Sequence, residues 1–103
     1  MFNCVEPRQN VLTLYGDLTL GHANEIHARL FTALDARSSL EVDLLNVTQI
    51  DGAGLQLLVL LHQEALARGK QLRWLGFSLV VQETFELLDL TDLLGRPGAV
   101  LWS

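Results

Sequence analysis

The chain has 103 residues, half of them apolar and 18% charged, with 12 acidic against 7 basic side chains and a net charge of −5. That length holds one domain, spanning 1–103, whose core can form without disulfide or metal help. No apolar run approaches the roughly 20 residues that span a bilayer, Met1-Phe2-Asn3-Cys4 lacks the features of a signal peptide, and Arg8, Arg29, Arg37, Arg68, Arg73 and Arg96 are too scattered to hold a phosphate backbone, so the expectation is a cytoplasmic protein with no nucleic-acid partner and no membrane insertion.

In chain order, Val11-Leu12-Thr13-Leu14-Tyr15 combines β-branched and aromatic residues into a strand that Gly16-Asp17 ends. Pro7 has no N–H for a ladder, which makes the preceding segment an edge strand or a break. From Ala23 to Asp35 the apolar Ala23, Ile26, Leu30, Ala33 and Leu34 recur at helical spacing behind a weak cap at Gly21-His22. Leu40 to Leu45 is a β-rich run too brief for a helix, and Gln49-Ile50 continues its extended character. The helix after Asp51 carries Leu55, Leu58, Val59, His62, Ala65 and Leu66 in one arc and closes at Arg68 and Gly69. Lys70 to Leu75 reads as another strand, and Ser78 caps a helix bearing Val81, Phe85 and Leu88 that Asp89 ends. Leu90 to Gly98 forms a turn or half-helix with a Pro-Gly break, before a terminal strand from Ala99 to Trp102.

This order, with right-handed crossovers, predicts an α/β fold: one mixed sheet of four to five strands with helices packed mainly on one face. Glu41 and Asp43 alternate with Val42 and Leu44, and Arg73 lies between Leu72 and Trp74, as a sheet with one wet face requires.

The junction Gln49-Ile50-Asp51-Gly52-Ala53-Gly54-Leu55 organises the rest. Asp51 reads first as a helix N-cap and second as a group that orients a partner or a nucleotide phosphate at the helix tip, and the two readings are compatible. Leu57 and Leu60 fall on the side of Gln56, Glu64 and Arg68. There they form either the apolar centre of a partner patch or a surface covered by a neighbouring element. Phe31 is a candidate extension of that patch, and Trp102 a candidate dimer contact or terminal anchor. His62 reads as a packed core histidine, Asp17 and Asp43 as solvated strand-end acids, and Cys4 as a free thiol near a strand. No P-loop, triad or metal-ligand spacing is present in the sequence, so no enzyme activity, cofactor or metal is expected.

Three segments together resemble the STAS domain, the fold of bacterial anti-sigma-factor antagonists and of the cytosolic tails of sulfate transporters. They are Gly16-Asp17-Leu18-Thr19-Leu20, the run Val42 to Asp51, and Gly54-Leu55 with the leucine-rich helix to Gly69. In those antagonists the motif reads Asp-Ser-Ser/Thr-Gly-Leu, and a partner kinase that is also the anti-sigma factor phosphorylates the first hydroxyl residue. Here the same positions are Asp51, Gly52, Ala53, Gly54 and Leu55. Glycine has no oxygen to accept a phosphoryl group, so the usual site, Gly52, is not a phosphorylation site.

The resemblance therefore implies a regulatory interaction module whose contact runs through Asp51, Gly52, Ala53, Gly54, Gln56, Leu57 and Leu60 to a kinase-like anti-sigma factor or a chemosensory signalling complex. A second reading makes it the STAS subunit of a bacterial phospholipid or organic-solvent transport complex, bound to the transporter ATPase.

Overall fold

The computed structural model describes residues 2–8, 10–87 and 100–101. Its strands lie in the order β1 (Phe2–Arg8), β2 (Val11–Leu18), β3 (Ser39–Ile50), β4 (Gln71–Phe77) and β5 (Val100–Leu101). The central three are parallel, and β1 and β5 run antiparallel to their neighbours. Between them come a short 3-10 turn (Leu20–His22) and the helices α1 (Ala23–Asp35), α2 (Gly52–Ala67) and α3 (Leu79–Leu87).

The edge position of β1 follows from its proline. Pro7 lies within the interval from Val5 to Arg8 where the register with β2 shifts, as a residue without a ladder donor requires. Asn10, at φ 71, makes the turn into β2, a conformation that asparagine tolerates better than most side chains.

The strand read as Leu40 to Leu45 is longer than its apolar pattern. β3 runs for 12 residues, because Asn46, Val47, Gln49 and Ile50 continue to pair with Tyr15, Gly16, Asp17 and Leu18 of β2. Tertiary pairing thus holds a polar stretch extended where propensity alone is weak. Lys70 precedes β4, and the expected helix end at Leu88 and Asp89, the turn expected over Leu90 to Gly98, and Ala99 and Trp102 of the expected terminal strand lie outside the described residues.

Alternation decides where the core sits. Leu12, Leu14, Leu40, Val42, Leu44, Leu72 and Trp74 are all buried, whereas Tyr15, Leu45 and Arg73 on the other face are exposed. The helices therefore cover one face of the sheet, with Ile26 and Leu30 of α1, Leu58 and Leu61 of α2, and Val81 and Phe85 of α3 turned into it. His62 is buried with them, and burial holds its imidazole below the usual pKa and neutral near pH 7.

Two basic residues fasten α1 to α2. Arg68 pairs with Asp35 and with Glu64 one turn before it, and the Lys70 ammonium donates to the carbonyls of Leu34 and Asp35. The Lys70 ammonium thus adds a charged donor to the last carbonyls of α1, at the negative end of its dipole. Gly69, at φ +68, takes the left-handed conformation that lets the chain leave α2 and bring Lys70 into place.

Candidate functional site

The parallel arrangement brings the ends of β2 and β3 to the same edge of the sheet, and the turn Leu20–His22 and the start of α2 emerge there side by side. Asp51 joins them. One carboxylate oxygen accepts from the Gly54 amide at 3.0 Å, capping α2, and the other accepts from the Leu20 amide at 3.0 Å, across 31 residues of sequence. The Asp51 amide in turn donates to the Leu18 carbonyl at 3.2 Å. The hydrogen bonds from Gly54 and then Leu20 hold the carboxyl below the usual aspartate pKa.

Replacing Asp51 by alanine is expected to lower stability by about 0.5–2 kcal/mol near neutral pH, the range of a lost N-cap. The folded-state pKa is depressed, so this contribution is present above the ordinary aspartate value of about 4 and is lost as pH falls through the folded value. Urea melts of the wild type and Asp51→Ala should differ at pH 7 and converge in strong acid; a gap independent of pH would contradict the ionised clamp.

Gly54 is buried against the end of β2, where a Cβ would overlap the carbonyl oxygen of Leu18. Gly52 differs: it is exposed, and a Cβ there meets nothing within 4 Å. Ala53 is half-buried and Gln56 exposed. The outer side of the tip is therefore built from Gly52, Gln56 and Leu60, the last 37% exposed.

Leu57 corrects the sequence reading. It is 8% exposed and belongs to the core, although it shares a helix flank with Glu64 and Arg68. That flank faces α1, as the Arg68 to Asp35 pair shows. Glu64 and Arg68 lie about two to three turns further along the same flank, at the solvent edge of the interhelical contact. Phe31 is half-buried against the core and stacks on His27 with ring centroids 4.4 Å apart, so it adds little open apolar surface.

Other polar candidates do not converge on the tip. The Thr48 hydroxyl donates to Asp17 at 3.4 Å, and Asp43 accepts from the Leu45 amide at 2.9 Å within its own strand. Among the described residues, no group of three or more His, Cys, Asp or Glu side chains is placed to hold a metal. No helix among them is long and apolar enough to cross a membrane. Sequence reasoning missed Leu20, which is 71% exposed beside the tip and fixed by its amide to Asp51. Its place in the run from Gly16 to Leu20 was a signal, but its partner lay too far along the chain for a local pattern to reveal.

A family model described as "Mlab, STAS domain" matches residues 5–95. The chain belongs to the STAS-domain family. Among solved structures, this STAS domain is similar to an anti-sigma factor antagonist from Mycobacterium paratuberculosis, with a TM-score of 0.80 and 14% identity over 96% of this chain and 87% of that one. It is also similar to the anti-sigma factor antagonist SpoIIAA in its unphosphorylated form, with a TM-score of 0.68 and 17% identity over 96% and 89% of the two chains. The phosphorylated form of SpoIIAA, a Bacillus cell fate determinant, matches with a TM-score of 0.64 and 16% identity over 96% and 92%. At such identities the likeness shows the fold. Among curated proteins none matches by sequence.

Proposed function

We propose that this STAS domain is a non-catalytic regulatory module that docks a protein partner through the tip of α2. The observation that carries the reading is the two-sided grip of Asp51, which fixes the tip while leaving Gly52, Gln56 and Leu60 on its outer side. In this reading Ala53 and Gly54 let the tip seat closely on β2, Leu57 backs it from the core, and Leu20 extends the contact. Likeness to anti-sigma factor antagonists supports a kinase-like anti-sigma factor or a related signalling complex as the partner.

Contact at this tip is not governed by phosphorylation of the chain itself. Gly52 has no hydroxyl, and the Thr48 hydroxyl is directed to Asp17. The charge of about −1.5 to −2 that a phosphate would add is therefore not introduced at the tip. Control rests with the partner, or the contact is constitutive.

The match to the Mlab description favours a second reading, in which the partner is the ATPase of a phospholipid transport complex in the bacterial cytoplasm. Affinity capture from native lysate separates the two. Recovery of a histidine-kinase-like ATPase or chemosensory proteins supports the first, and recovery of a transporter ATPase supports the second. Capture that survives Leu60→Glu would remove the α2 tip from both.

Gly52→Ser tests the missing switch. Open space around Gly52 accepts the side chain, and serine is a better helix residue than glycine by roughly 0.5 kcal/mol, so stability should hold or rise slightly. With a captured kinase and ATP, phosphate should enter the variant at this position and should not enter the wild type. Incorporation into wild-type residues of the same segment would refute the proposed loss of the switch.

A further inference from the structure

A second surface lies on the other flank of α1, away from α2. A groove of about 440 Å³ runs between that helix and the first two strands. Leu12, Ala33, Ala36 and Cys4 give it an apolar lining, and Arg29 and Arg37 stand along its helix side. Its volume is in the range of ligand sites, roughly 300–1,000 Å³. No residue of α2 lines it, so it is separate from the proposed tip contact.

The sheet ends at this groove. β1 is the terminal strand in the sheet order and is paired to β2 on one side; among the described residues no strand lies on its other side. Such an edge presents backbone donors and acceptors that an extended peptide can pair with, while the peptide's alternate side chains enter adjacent pockets.

Spacing and charge select the peptide. Arg29 and Arg37 are eight residues apart on α1 and the turn that follows it, or about 12 Å along the helix at 1.5 Å per residue. In an extended strand, residues i, i+2 and i+4 share one face, and the outer two lie about 13 Å apart. The two distances match, and the two guanidinium groups make the helix side of the groove locally positive and favour carboxylates there, against the chain's net charge of −5.

We propose that the β1 edge and its groove bind an extended acidic peptide. The added strand pairs with β1, an apolar side chain fills the groove, and acidic residues two positions before and after it meet Arg29 and Arg37. Arg29 already takes part in an interaction within the chain, so peptide binding adds to or exchanges that contact.

Fluorescence anisotropy on the intact chain tests this with a labelled peptide bearing glutamate, leucine and glutamate at alternate positions and threonine elsewhere. The acidic peptide should bind, and its affinity should fall with added salt. A glutamine-for-glutamate peptide, a backbone N-methylated peptide and the Arg29→Glu/Arg37→Glu variant should each lose at least about tenfold, equivalent to about 1.4 kcal/mol. Ala36→Trp should block the groove. Circular dichroism and retained capture by the α2-tip partner establish that the variants fold.

Failure of the acidic peptide to bind the wild type would overturn the proposal. So would equal affinity for the glutamine or N-methylated peptide, or for the double arginine variant. Sedimentation showing that β1 edges pair two copies of the chain, in a dimer the peptide does not dissociate, would overturn it in favour of self-association.

Discussion

Gly54→Ala should lose roughly 3 kcal/mol of stability, the upper end of what overpacking usually costs, and its melting temperature should fall by roughly 10–20 °C. One added carbon would overlap the Leu18 carbonyl oxygen and stand 3.0 Å from the Leu18 Cβ. Neither neighbour is the flexible end of a long side chain: the oxygen is backbone in β2 and also accepts from the Asp51 amide. Relief requires α2 to lift from the sheet, which strains the Asp51 clamp and the helix contacts below it. Alanine's gain in helix propensity, about 1 kcal/mol over glycine, is smaller and does not reverse the sign. Calorimetry of Gly54→Ala beside Gly52→Ser provides the comparison, because the two substitutions stand two residues apart at the same helix start. Equal melting temperatures would show that the tip does not depend on close approach to β2.

The second large effect divides two leucines that sequence periodicity placed together. Leu57→Glu should destabilise by about 3 kcal/mol or more, since it removes a buried apolar side chain and asks a carboxylate to replace it. Leu60→Glu, at a position 37% exposed, should stay within about 0.5 kcal/mol of the wild type and still abolish partner capture. Urea unfolding and capture, measured on both variants, distinguish core from contact. A stable Leu57→Glu variant would mean that α1 does not cover that flank, and intact capture by Leu60→Glu would remove the α2 tip from the docking surface.

The contrast between these leucines shows what the sequence could reveal. Local alternation located the core face of β3 and β4, because Leu40, Val42, Leu44, Leu72 and Trp74 obey a period of two wherever they pair. Asp51 was legible as a cap because its acceptor geometry is satisfied three residues on. Leu57 was not, because its burial depends on α1 packing against that flank of α2, a contact marked by Arg68 and Lys70 reaching residues more than 30 positions away. The same distance hid the Leu20 contact. Gly52 and Gly54 looked alike as small residues at a helix start, yet one faces open space and the other a strand carbonyl. The STAS resemblance located the tip, but the order of contacts around it came from tertiary structure.

Lys70 is the only lysine in the chain, and its ammonium is held by the last carbonyls of α1. Apart from the terminal amine, an amine-reactive reagent has a single internal target, and that amine must leave those carbonyls before it can react. The rate of acylation at Lys70 is thus a site-specific report on how often this tether to α1 opens, readable by mass without introducing a label.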